Sequence, residues 1–394
     1  MAGTGIVAEY NPFHTGHRWH IAETRRQLGA ESAIVCAMSG HWVQRGDCAV
    51  TDKWKRAAWA VEAGADLVLE LPTVWACASA ETFARGAVEV LAGTGVVDTL
   101  SFGSECADLS ALRASAAVLE EPEYHARVKE LSAQGLPFPV ARQRAAEERL
   151  GGPSVLDKPN ANLAVEYLRA IPSHWKALAV QRQGVDHDGG AAGGFASASH
   201  LRELLRAGNG GEAEPYLCTP WAGEIADFRR CGAVLLDRVR TMGEDDWAAL
   251  PDGGSAEGLP ARLVRCGRQA RSAEEFLALA KTKRFPLARL RRLLTWAYLG
   301  LTAADRPEHV PYLRVLAFSE RGRTLLGEMK EKATLPVLTK PAHARDLPEE
   351  GRRLFELESR CTDRFGLCLG EVPPCGVEWT RSPVYVRRKS GDCR

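Results

Sequence analysis

Two histidines, His14 and His17, stand three residues apart in the run His14-Thr15-Gly16-His17. At the start of a helix that spacing puts both rings on one face. The same face carries the free amides and the positive dipole end of the helix, which together form an anion site. Gly16 lets a phosphate approach the backbone closely. Imidazole donors placed there can stabilise charge developing on a phosphoryl group. A second candidate is Ala196-Ser197-Ala198-Ser199-His200-Leu201-Arg202. Hydroxyls at a helix start can bond phosphate oxygens, and the planar fork of Arg202 can clamp a polyphosphate. Alone, such a string more commonly means a capped helix with a surface arginine. Beside the histidine pair it points to phosphate chemistry.

These groups need a scaffold, and the first half of the chain supplies the pattern for one. Apolar runs at residues 5–9, 33–38, 65–71, 97–102 and 177–181 read as strands. Between them lie amphipathic stretches: a helix over 16–28, one capped by Asp52 and running to 62, one over 80–91, two filling 107–150, and one over 162–170. Repeating strand-helix units imply parallel strands with helical crossovers. Ligands of such sheets sit beyond the carboxyl ends of the strands. A helix over 197–207 closes the unit, and the Gly-rich stretch 208–215 marks the expected boundary. The expectation is an α/β domain over 1–207 and a mainly helical domain over 208–394.

The 394 residues suit two cores, and 45% hydrophobic with 26% charged residues is a globular composition. A net charge of +1 neither demands nor excludes a nucleic-acid partner. The eleven cysteines include no Cys-x-x-Cys pair, and the seven-residue steps between Cys361, Cys368 and Cys375 are not a zinc pattern. Free thiols in a reducing cytoplasm are the expectation, with no metal site, no membrane span and no inferred protein partner.

The opening GIVAEYNPFHTGH resembles nucleotidyltransferases with a His-x-Gly-His motif, which share their Rossmann-like (HUP-type) fold with class I aminoacyl-tRNA synthetases. The match is closer to the bacterial tRNA(Met) cytidine acetate ligase family. Residues 38–46, MSGHWVQRG, are similar to that family's MSGNFVQRG segment. Asp52-Lys53-Trp54, Gly64-Ala65-Asp66-Leu67-Val68, Glu70-Leu71-Pro72, Ser101-Phe102-Gly103-Ser104-Glu105 and Pro159-Asn160 continue it. Arg314-Val315-Leu316 and Leu335-Pro336-Val337-Leu338-Thr339-Lys340 carry it into the second half. His41 and Trp42 stand where the family has Asn and Phe, and Ser199 where it commonly has Thr.

The resemblance implies a two-step ligase. Acetate attacks the α-phosphate of ATP, with Mg²⁺ as companion ion, and the acetyl group passes to N4 of the wobble cytidine of elongator tRNA(Met). It implies His14 and His17 as catalytic groups. ATP contacts are implied along Val7, Ala8, Glu9, Tyr10, Asn11, Pro12, Phe13, Thr15, Gly16 and His20, and at Gly103, Asn160, Arg182, Ser199 and Arg202. Asn160 could equally be a helix cap, and a surface arginine is the alternative for Arg182; Gln44 and Arg45 could face acetate or tRNA, with a structural loop role the alternative. For tRNA the basic candidates are Lys281, Lys283, Arg284, Arg289, Arg291, Arg292 and Lys340, with Arg387, Arg388 and Lys389 as additions; a solvated helix face is the plain alternative. Two rival functions use the same fold: a small-molecule nucleotidyltransferase, and a non-catalytic tRNA-binding protein.

Overall fold

The computed structural model describes residues 3–183, 190–221, 223–254 and 258–388. Five strands come from the first half: β1 (Gly3–Ala8), β2 (Ala33–Ser39), β3 (Leu67–Leu71), β4 (Val97–Ser104) and β5 (Lys176–Gln181). All four pairings among them are parallel, in the order β3-β2-β1-β4-β5. β2 and β3 are buried along their whole length, as expected of strands covered by helices on both faces. The crossovers are α1 (Thr15–Leu28), α2 (Lys53–Glu62) and α3 (Ala80–Gly93). Asp52 and Ser79 cap the latter two by accepting from backbone amides in the first turn.

β1 has β2 on one side and β4 on the other, so the strand order reverses beside it. That reversal opens a crevice past the carboxyl ends of β1 and β4. The expected two helices over 107–150 are three: α4 (Leu109–Val118), α5 (Pro122–Ala133) and α6 (Phe138–Leu150). Pro122 opens α5 and Pro137 precedes α6; neither has an amide to continue the preceding helix. α7 (Pro159–Ala170) leads into β5, and α8 (Ala198–Arg206) follows it.

The stretch after 208 is mostly helical where described, and it also extends the sheet. β6 (Leu313–Phe318) pairs antiparallel with β3, then β7 (Val337–Leu338) and β8 (Val384–Tyr385) pair with β6. β6 is an apolar run buried from Leu313 to Ala317, so it satisfies a strand edge that would otherwise face water. One apolar cluster joins Val35 and Leu69 to Leu313 and also to Leu293 and Phe355, which lie on α9 (Leu287–Leu299) and α10 (Glu349–Gly366). The division expected at 208–215 is thus crossed by both sheet and core.

Candidate active site

The turn between β1 and α1 sets the histidines. Tyr10 takes a left-handed backbone (φ 48°), and the Asn11–Pro12 peptide is cis. Tyr10 and Phe13 bury their rings against each other and against His17. His14 is the N-cap of α1: its Nδ1 accepts from the amide of Gly16 at 3.1 Å. His17 reaches back, and its Nδ1 accepts from the amide of His14 at 3.3 Å. The rings lie with centroids 3.8 Å apart. A Cβ on residue 16 would come within 2.9 Å of the His14 ring, which requires glycine there.

This reciprocal cap decides the tautomer. Each Nδ1 accepts a proton donor, so in the neutral rings the hydrogen is on Nε2. Both rings are held neutral. Burial, then the charges of Arg182 and Arg202, bring His14 down to about 3. Burial, then His14 and Arg182, hold His17 well below the usual range. Burial and Arg182 bring His20 down to about 4, while its Nε2 meets Ser101 Oγ at 3.0 Å. The result is two neutral N–H donors at the positive end of a helix.

The depressed values carry a measurable consequence. Below about pH 6.5 the unfolded chain takes up protons that the folded chain refuses, so stability is complete above that value and is lost as the pH falls towards 3 to 4. In histidine-labelled protein the His14 and His20 rings are expected to keep neutral chemical shifts from pH 8 to about 5. A midpoint at 6 or above for His14 would sink the neutral-donor arrangement.

Val7, Ala8, Glu9, Tyr10, Asn11, His14, Gly16, His17, His20, Gly103, Asn160 and Arg182 line one cavity of about 230 Å³ over the strand reversal. Gly103 is the last residue but one of β4, and the nearest atom to a Cβ there would be Cγ of Arg182 at 3.4 Å, so its other side is open. Arg182 continues β5 and donates its amide to the Ser104 carbonyl at 3.0 Å. Asn160 is not a cap: its side chain donates to Glu105 Oε1 at 2.5 Å, and that carboxylate also takes the amides of Asn160 and Ala161. Burial pushes Glu105 up, but these donors outweigh it and hold the carboxyl below its usual range.

Five candidates fall outside this cavity. Phe13 belongs to a core cluster, Pro12 to the buried cis turn, and Thr15 donates its hydroxyl to the Gly194 carbonyl at 3.0 Å. Ser199 and Arg202 line a second cavity of about 400 Å³. Arg202 donates to the carbonyl of Asn11 and to Ser199 Oγ, both at 2.9 Å, and so forms the wall between the two spaces. Ser197, from the second candidate string, lines the first cavity, as do Trp19, Phe102 and Tyr167, of which only Phe102 belongs to a motif, beside Gly103.

The basic candidates separate. Arg289 donates to the Asp252 carbonyl and Arg292 pairs with its carboxylate at 3.0 Å, so both are committed to a loop. Lys281, Lys283, Arg284, Arg291 and Lys340 are exposed. Arg387 lies over the Tyr385 ring, and Arg388 donates to the Val61 carbonyl and pairs with Asp66. Lys389 lies outside the described residues.

The remaining motif residues form a buried ionic cluster away from the cavity. Lys53 pairs with Glu70 and Glu378, both at 2.6 Å, and Arg314 with Glu378 at 3.3 Å. Glu358 accepts from Thr73, and burial and the Glu70 charge push it up to about 8. His41 bridges the cluster, accepting the Lys53 amide on Nε2 and meeting Thr362 on Nδ1. Trp42 donates to the Cys361 carbonyl at 3.0 Å. The two departures at 41 and 42 therefore sit in the seam between the halves of the chain. Among the described residues no group of three or more His, Cys, Asp or Glu side chains could hold a metal ion. The ten described cysteines are free thiols, and no described helix is long and apolar enough to cross a membrane.

A parallel sheet reversing at β1, with paired imidazole donors on the helix that follows, defines an α/β nucleotidyltransferase-type enzyme. Over residues 1–373 the sequence matches the family described as HIGH Nucleotidyl Transferase. It is 33% identical over 421 residues to the tRNA(Met) cytidine acetate ligase of Acetivibrio thermocellus, covering 98% of this chain and 100% of that one. It is 34% identical over 398 residues to the same-named ligase of Caldanaerobacter subterraneus subsp. tengcongensis, covering 93% and 95%. The crystal structure of apo Thermotoga maritima TmcAL superposes with a TM-score of 0.89 at 32% identity, covering 98% of this chain and 100% of that one. The same protein bound with alpha-thio ATP gives 0.87, also at 32% identity and with the same coverage. The chain belongs to the tRNA(Met) cytidine acetate ligase family.

Proposed function

We propose that this protein activates acetate with ATP and transfers the acetyl group to N4 of the wobble cytidine of elongator tRNA(Met), in the cytoplasm. The observation that carries the reading is the pair of neutral Nε2–H donors at the N-terminus of α1, beside Arg182 and over the strand reversal. In this reading an acetate oxygen attacks the α-phosphorus, the bond to the bridging oxygen breaks, and pyrophosphate leaves. Acetate is already ionised at neutral pH and needs no base; the obstacle is repulsion between anions. The dipole of α1, His14, His17 and Arg182 screen that charge without a proton changing hands. Adenine and ribose lie towards Gly103 and Asn160. Magnesium arriving with ATP would keep to phosphate oxygens and water, which suits a site with no cage of side-chain ligands.

In the second step N4 of cytidine attacks the acetyl carbon, the carbon–oxygen bond to phosphate breaks, AMP leaves, and N4 gives up a proton. The amine lone pair is delocalised into the ring, so an activated anhydride is needed. Purified protein with ATP, labelled acetate and total bacterial tRNA should yield labelled N4-acetylcytidine on nucleoside analysis. ATP consumption that does not depend on acetate, with no labelled nucleoside, would refute the assignment.

The exposed cations after residue 208 are proposed to hold tRNA phosphates. Reversing the charges of Lys281, Lys283 and Arg284 together is expected to weaken tRNA binding about tenfold at low salt, with the gap narrowing as salt rises because fewer counterions are released. Binding unchanged at low salt would return these residues to a plain solvated surface.

A further inference from the structure

The second cavity opens from the same floor as the first. Glu9, Asn11 and Arg45 line both spaces. Its far wall comes from the second half of the chain, including Phe228, Leu277 and Arg291. The two walls are locked together. A Cβ on Gly46 would come within 2.4 Å of the Arg291 backbone, so the Arg45 loop packs directly on α9.

Glu9 is placed to serve a ligand here. Its Oε1 accepts the Gln44 amide at 2.9 Å, while Oε2 has no donor among the described residues. Arg45 and Arg291 are exposed and have no ion-pair partner among the described residues. At the junction with the first cavity the space therefore offers the free oxygen of Glu9 and the guanidinium of Arg45, with Arg291 and the exposed carboxylates Glu203 and Glu274 further along its lining, beside Phe228 and Leu277. Cytosine presents an amine donor at N4 next to acceptors at N3 and O2. Uracil presents acceptors at O4 and O2 and a donor at N3. A carboxylate accepts from the cytosine amine and repels O4 of uracil, and an arginine complements N3 or O2.

We propose that the second cavity is the subsite for the acceptor base, a cytidine splayed out of an RNA loop, and that Glu9 at the junction selects cytosine by accepting from N4. This rests on the acetyl-transfer reading above. It brings N4 to the junction that the activated acetyl group reaches from the other side. A base removed from its stack is what reading its Watson–Crick edge requires.

The test is direct binding, without turnover. An RNA stem-loop with cytidine in its loop is compared with the same RNA carrying uridine, in the presence of a saturating non-hydrolysable ATP analogue that fills the first cavity. The cytidine RNA is expected to bind about tenfold or more tightly. Leu277→Trp, which fills the second cavity, should remove most of that affinity with its melting temperature as the control for folding. Glu9→Gln should shrink the preference to about threefold or less, since an amide can donate as well as accept. Equal affinity of the wild type for the two RNAs, or cytidine RNA binding that survives Leu277→Trp, overturns the proposal. Failure of acetate activation is read separately, as absence of acetate-dependent exchange between ATP and pyrophosphate in the wild type.

Discussion

Replacing His17 by alanine should lower adenylate formation by about two orders of magnitude, the usual loss when one pre-aimed donor to a charged transition state is removed. The geometry explains why the effect exceeds that of an ordinary hydrogen bond. His17 is neutral, its Nε2–H is fixed by the bond from the His14 amide to Nδ1, and it stands at the dipole end of α1. No reorganisation is needed when charge develops. The substitution also leaves the His14 amide without its acceptor, so a modest loss of stability accompanies the kinetic one. Acetate-dependent ATP–pyrophosphate exchange measures the effect, with the melting temperature as a check on folding. Exchange within threefold of the wild type would remove His17 from the catalytic reading.

The largest expected effect on stability is at Glu378. The cluster balances two cations, Lys53 and Arg314, against two carboxylates, Glu70 and Glu378. Glu358 is the fifth member, and burial and the Glu70 charge push its carboxyl up. Burial pushes Glu378 up, but Lys53 and Arg314 outweigh it and hold the carboxyl below its usual range. Glu378→Ala leaves Lys53 with Glu70 but takes the carboxylate from Arg314, whose side chain is 1% exposed. Breaking a buried pair in this way costs about 3–5 kcal/mol. Denaturant titration should show the loss, and a change below about 1 kcal/mol would mean that water enters the cluster and solvates Arg314.

Much of the site could be read locally. A β-strand, a tight turn, a histidine at the helix cap and a second one three residues on are short-range patterns, and each residue acts on neighbours within one helical turn. His14, His17, Gly103 and Arg182 accordingly meet in one cavity as expected. Ser199 and Arg202 were read as phosphate contacts because a capped helix with an arginine is all that the string itself contains. Which cavity that helix faces depends on the bond from Arg202 to the Asn11 carbonyl, 191 residues away.

By itself, then, the sequence determined the parallel sheet of the first half and the paired histidines on one face at the start of α1, because these depend on propensity, capping and period over a few residues. Tertiary structure alone decided that Lys53, Glu70 and Arg314 meet in a buried ionic seam, and that Arg289 and Arg292 are committed to Asp252. It also decided that β6 closes the open edge of the sheet. The physical reason is range. A buried lysine demands a carboxylate, but nothing local to Lys53 says that one of its partners is Glu378, which only the folded chain brings to 2.6 Å.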